Sequence, residues 1–131
     1  MRKEVAVAKR MNPVNWFEIP VKDLDRSKKF YESVFDVKLQ VEQMGPMQMA
    51  WFPLSEKAAG SAGSLVKAED YTPSHAGTVV YFSVDDIDRT LDKVKSNHGK
   101  TLLPKMGIGK YGFIAQFEDT EGNRVALHSN K

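Results

Sequence analysis

A heptad that occurs twice constrains this chain more than any other feature. Val21-Lys22-Asp23-Leu24-Asp25-Arg26-Ser27 matches Val84-Asp85-Asp86-Ile87-Asp88-Arg89-Thr90 at a spacing of 63 residues, with four of seven positions identical and two more conservative. Both copies stand where an alternating apolar segment gives way to a helical period, so the match marks the same strand-to-helix junction in two successive units. The units cover about 14–70 and 76–129, and neither is large enough to bury one face of a sheet alone. They must pack together or pair with units of another chain.

Each unit reads as βαβββ. Trp16 to Val21 alternates, with Phe17, Ile19 and Val21 on one side and Trp16 and Glu18 on the other, which predicts a strand with two different faces. Asp23 and Asp25 open a helix over roughly 24–35, carried by Leu24, Ser27, Phe30, Tyr31, Val34 and Phe35 at helical spacing. Val37 to Val41 alternates again, Gly45-Pro46 turns the chain, and Met47 to Leu54 predicts a third strand. Whether Trp51 or Phe52 looks inward is open in that pattern. Ser55 to Gly63 is a flexible turn before a strand at Ser64 to Ala68. In the second unit Thr78 to Val84 predicts a strand, Asp85-Asp86 a helix start running through Leu91 and Val94, and His98-Gly99 its end, with a residue suited to a left-handed conformation. Lys100 to Met106, Phe113 to Phe117 and Arg124 to His128 complete the strands. Between them lie the glycine-punctuated loop Gly107 to Gly112 and the polar turn Asp119 to Asn123. The fold class is α+β.

Charge and composition exclude several functions. With 19 Lys and Arg against 17 Asp and Glu, the net +2 supplies no field for phosphate backbones, and no nucleic-acid partner is expected. Cysteine is absent, which removes disulfides, thiolate nucleophiles and Cys-based zinc sites and fits a reducing, cytoplasmic compartment. No run approaches the roughly 18 apolar residues of a membrane-spanning helix, and no membrane partner is expected. Residues 1–12 read as a flexible leader, with Arg2, Lys3, Lys9 and Arg10 around an apolar stretch far too short for a signal sequence. Residues 13–131 form the single domain.

The duplicated unit, opened by Phe17-Glu18-Ile19-Pro20-Val21 and the run Asp23 to Tyr31 and closed by Asp119-Thr120-Glu121-Gly122-Asn123 with the strand after it, resembles the vicinal-oxygen-chelate superfamily. This is the group of glyoxalase I, bleomycin-resistance proteins and extradiol dioxygenases. The resemblance covers Asn15 to Ser129. It implies two curved mixed sheets around a cleft, and a homodimer. It also implies a divalent metal held by side chains from the first and last strand of each unit, which here fall at Trp16, at Gly63 or Ser64, at Val79 and at Ala126. Zn, Ni, Mn or Fe would need imidazole or carboxylate donors there, and an indole, a hydroxyl, a valine and an alanine are not such a set. No metal or other cofactor is therefore expected.

The residues expected to bind a ligand are Trp16, Glu18, Trp51, Tyr81, Ser83, Arg124 and His128. Glu18 reads as a general base, as a group for a cationic ligand, or as a carboxylate satisfied by backbone donors or by Arg124. His128, two residues beyond Ala126, reads as an acid/base, a displaced metal ligand or an exposed histidine. Tyr81 and Ser83 alternate with Val80, Phe82 and Val84 and share the cleft face, where a phenol both stacks and hydrogen-bonds. His75 and His98 read as solvent-facing, Lys22, Arg26, Lys28 and Lys29 as a solvated helix face, and Gly107 to Gly112 as a flap over the cleft. The function expected is binding of a small organic ligand in an apolar aromatic cleft. The alternative is an enzyme of lyase, isomerase or dioxygenase type, working through Glu18 and His128 as rearranged metal ligands or by metal-free acid/base catalysis.

Overall fold

Asp23 and Asp86 set both halves of the fold by the same local device. Each holds extended backbone angles, φ −126° and ψ 105° at Asp23 and φ −140° and ψ 101° at Asp86, and each accepts the N–H three residues on. That stops a strand and starts a helix. In the computed structural model, which describes residues 12–131, the expected leader falls outside the described residues except at its last position.

The first half runs β1 (Trp16–Pro20), α1 (Leu24–Phe35), β2 (Gln40–Met44), β3 (Met47–Trp51) and β4 (Ala62–Lys67). The second runs β5 (Tyr81–Ser83), α2 (Ile87–Ser96), β6 (Lys100–Gly107), a 3₁₀ turn (Gly109–Tyr111), β7 (Phe113–Glu118) and β8 (Arg124–Ser129). Two four-stranded sheets result, ordered β1-β4-β3-β2 and β5-β8-β7-β6. Their equivalent positions confirm the duplication: β1 lies parallel to β4 and β5 parallel to β8, the other pairs being antiparallel. The expected strand over 78–84 is shorter, since only Tyr81–Ser83 pairs fully. The strand expected from Val37 starts at Gln40, and β4 begins two residues before its expected start.

Alternation decides what each sheet buries. Ile19, Ala50, Phe52 and Leu65 from the first sheet and Ala115, Phe117, Val125 and Leu127 from the second enter one core with both helices. Phe30 meets Phe117 at 5.9 Å between ring centres, and Tyr31 meets Phe52 at 5.7 Å and Phe82 at 6.0 Å. Helix α1 therefore packs against strands of both units. Each fully buried large side chain contributes about 1.5–3 kcal/mol by leaving water. The opposite face of each sheet is left to the remaining parity: Trp16 and Glu18, Ser64 and Val66, Tyr81 and Ser83, Arg124, Ala126 and His128. The Trp51/Phe52 ambiguity resolves with Phe52 in the core and Trp51 on that second face.

The end of α2 corrects an expectation. His98, not Gly99, takes the left-handed conformation, at φ 75°. Gly99 is needed for space, because a Cβ there would lie 2.7 Å from both the Glu118 carbonyl oxygen and Val94 Cγ1.

Candidate functional site

The face of the first sheet turned away from the helices carries an aromatic wall. Trp16 and Trp51 stand edge to face with ring centres 5.1 Å apart, a geometry that contributes beyond simple burial. Ser64 lies between Glu18 and Trp51 in the strand register and is fully buried. Its hydroxyl and the Trp51 indole N–H have no hydrogen-bond partner among the described residues. Glu18 accepts a 2.7 Å bond from the Tyr71 hydroxyl, and among the described residues neither Arg124 nor a backbone group is its partner. That bond, with the charge of Glu18, raises the Tyr71 pKa and keeps the phenol a neutral donor.

Beside this wall opens a cleft of about 720 Å³, lined by Trp16, Glu18, Tyr81 and Ser83 together with the loop at Ala59 to Ser61. Four of the seven expected ligand-binding residues thus converge, and Trp51 backs one of them. The other two lie elsewhere. Arg124 lines a smaller space of about 200 Å³ that also touches Glu18, and its guanidinium is engaged by Gln116 Oε1 at 2.8 Å and the His75 carbonyl at 3.3 Å. His128 borders a third space, between β5 and the helices, along its backbone, whose carbonyl accepts from Val84; by strand register its side chain lies on the face of Tyr81 and Ser83. Its Nε2 lies 2.6 Å from the Tyr111 carbonyl and must donate to it, which leaves Nδ1 as the free nitrogen of the neutral ring. Glu18 lines the cleft, whereas His128, though on the same sheet face, does not.

Gly63 pairs with Phe17, and a Cβ on it would collide with that residue, so it belongs to the helix side. Ser64 opposes Glu18 as Ala126 opposes Tyr81, which makes Ser64 and Ala126 the equivalent positions. Trp16, Ser64, Val79 and Ala126 offer one neutral hydroxyl between them, and among the described residues no three of His, Asp and Glu converge. The donor set does not fit a divalent cation.

Three features had no adequate signal in the sequence. Tyr71 sits in the link between units, where no periodicity points. The loop Gly107 to Gly112 lines none of these spaces and is held by the Ile108 N–H to Gly112 carbonyl bond at 2.9 Å. The turn Asp119 to Asn123 is buried: Asp119, Glu121 and Asn123 are 2%, 6% and 5% exposed. Asp119 accepts from the buried Tyr31 hydroxyl at 2.7 Å, from the Glu121 and Asn123 N–H groups at 2.9 Å, and from the Asn123 amide at 3.0 Å. Burial raises its pKa, against those bonds; burial likewise, with the charge of Asp119, lifts the Tyr31 hydroxyl well above its ordinary value. Arg26, exposed as expected, also joins this cluster through Glu121, and Lys28 pairs with Glu32 at 3.0 Å. His75 and His98 are both exposed as expected, and His75 Nε2 meets Glu118 at 2.7 Å.

Comparison with known proteins agrees with this architecture. The family model described as "Glyoxalase/Bleomycin resistance protein/Dioxygenase superfamily" matches residues 13–127. A "Glyoxylase-like domain-containing protein" of Didymella fabae is 32% identical over 118 residues, which is 87% of this chain and 91% of that one. A glyoxalase I variant from Zea mays superposes with TM-score 0.71 at 25% identity, covering 90% of this chain, which spans 47% of that one. TnmS3, an antibiotic binding protein from Streptomyces sp. CB03234, shares the fold with TM-score 0.69 at 20% identity, over 92% of this chain and 98% of its own. Among the described residues no helix is long and apolar enough to cross a membrane.

Proposed function

This chain belongs to the glyoxalase/bleomycin resistance protein/dioxygenase superfamily, and from that premise we propose that it binds a small organic ligand in the cleft between Trp16 and Tyr81, without a divalent metal. The observation that carries the reading is the Trp16–Trp51 pair, 5.1 Å between ring centres, at the edge of a cleft of about 720 Å³. A volume of that order suits a drug-sized guest, and a wall of aromatic surface with a few polar groups favours an aromatic or amphipathic one. Tyr81, half exposed, offers a second ring, and the Glu18 carboxylate and Ser83 hydroxyl offer orienting hydrogen bonds. TnmS3, described as an antibiotic binding protein, supports binding as a use of this fold. We also propose a homodimer, because Met44, Tyr81 and Met106 are 49%, 51% and 44% exposed, and a partner's sheet would cover such surface.

A neutral bicyclic phenol such as 2-naphthol, used as a probe, should raise the melting temperature of the purified protein and change its tryptophan emission, and Trp16→Ala should abolish both effects. Equal effects in Trp16→Ala and wild type would overturn the cleft assignment. The dimer is tested by light scattering, where a monomer at high micromolar concentration contradicts it.

The Glu18–Tyr71 bond favours one second reading, a metal-free acid/base catalyst in which Glu18 takes a substrate proton. Turnover of a methylglyoxal–thiol adduct by chelator-treated protein, lost in Glu18→Gln, would select it.

A further inference from the structure

The chain contains its own template for a carboxylate site. In the first half the Val21 N–H donates to the Val66 carbonyl at 2.9 Å. The next two N–H groups, of Lys22 and Asp23, both donate to Glu121 Oε1 at 2.9 Å, and Arg26 grips the same carboxylate through Nε at 2.7 Å and Nη2 at 2.9 Å. Two backbone donors and a forked guanidinium at a helix start make a strong carboxylate receptor.

The second half repeats the receptor without its occupant. Val84, Asp85, Asp86 and Arg89 are the counterparts, 63 residues on. The Val84 N–H donates to the His128 carbonyl at 2.9 Å, and Asp86 caps the Arg89 N–H at 3.0 Å, as Asp23 caps that of Arg26 at 2.9 Å. Yet the N–H groups of Asp85 and Asp86 and the Arg89 guanidinium have no acceptor among the described residues. The reason is topological. Glu121 comes from the β7–β8 turn, whereas the matching β3–β4 connection carries one carboxylate, Glu56, which makes no bond to α2. Beside these donors a groove of about 580 Å³ joins Asp86 and Arg89 to Phe35, Phe52 and Phe82. Phe35 and Phe82 stack there with ring centres 4.4 Å apart.

We propose that this groove is a second ligand site, for a small carboxylate with an apolar, preferably aromatic, body. The carboxylate sits on the Asp85 and Asp86 N–H groups and Arg89, as Glu121 sits in the first half. The body lies against Phe35, Phe52 and Phe82. The other charged groups are mixed: Lys93 lines the groove and adds attraction, Asp85 and Asp86 oppose an anion, and the His128 ring, on the opposite face of β8, is held by Tyr111. Asp86 caps its helix as Asp23 caps the first, but Asp85 replaces Lys22, so this receptor is weaker than its template. The groove lies on the helix side of β5, where Phe82 points, and the inference does not rest on the proposed cleft ligand.

The test is titration of the full chain with 3-phenylpropionate, followed by amide NMR, with 3-phenylpropionamide as the uncharged control. The acid should saturate while shifting the Asp85 and Asp86 amide protons downfield, and the control should bind at least about tenfold more weakly. Arg89→Gln, at an exposed position, should weaken the acid by a similar factor, and Asp85→Lys, which restores the template residue, should tighten it. Equal binding of acid and control, indifference to Arg89→Gln, shifts confined to Trp16 and Trp51, or no saturation by the acid would each overturn the proposal.

Discussion

Arg26 and Glu121, separated by 95 residues, close a bidentate ion pair of 2.7 and 2.9 Å that ties the helix of the first unit to the last turn of the second. The carboxylate end is fully buried and the guanidinium end half exposed. Burial alone would push Glu121 up, but Arg26, the Asp23 and Lys22 N–H groups and the Thr120 hydroxyl outweigh it and hold the carboxyl at about 2, from an ordinary 4.5.

A depressed carboxyl stabilises the folded chain at pH values above its unfolded pKa, and that contribution is lost as pH falls toward the folded one. Glu121→Gln should therefore cost about 2 kcal/mol at neutral pH, less than the full shift implies because Arg26 is half in solvent. The gap between variant and wild type should narrow between pH 4.5 and about 2. Urea unfolding across that range checks it; a gap independent of pH would contradict the assignment. Asp119, whose pKa is raised, works in the opposite direction and softens the acid loss in both proteins.

Tyr31→Phe should cost about 1–3 kcal/mol, because it removes a buried donor and leaves Asp119 Oδ2 with only the Asn123 amide. Calorimetric melting measures the loss, and an unchanged melting temperature would show that water replaces the hydroxyl.

At the end of α2, Gly99→Ala should destabilise by about 1–3 kcal/mol through contact with the Glu118 carbonyl and Val94, while His98→Gly should be neutral or stabilising by up to about 1 kcal/mol. Chemical unfolding of both variants distinguishes them, and the reverse order would contradict the conformations assigned here.

The fold was legible because the two heptads mark junctions, and junctions fix element order. The parity of Trp16 and Glu18 against Phe17 and Ile19 was also legible, since strict alternation has one solution once an amphipathic helix must cover one side. Met49-Ala50-Trp51-Phe52 had no such alternation, and only pairing with Leu65 and Ser64 sorts Trp51 from Phe52. The turn at Asp119 to Asn123 looked like solvent-facing polarity because its partners, Tyr31 and Arg26, lie 88 and 95 residues away. Local pattern does not report burial that is compensated from a distance. Tyr71 went unnoticed for a related reason, its partner Glu18 being 53 residues away. Arg124, one of the partners open to Glu18 in the sequence, instead meets Gln116, eight residues before it on the neighbouring strand.

The proposed cleft beside Trp16 would hold its ligand with aromatic surface and hydrogen bonds, and with no cation. Calorimetric titration of 2-naphthol into protein kept in excess EDTA tests it most directly. One saturable site per chain is expected, with the same affinity after Zn, Ni, Mn or Fe is supplied in place of the chelator. Binding that disappears in EDTA and returns with one equivalent of metal would contradict it.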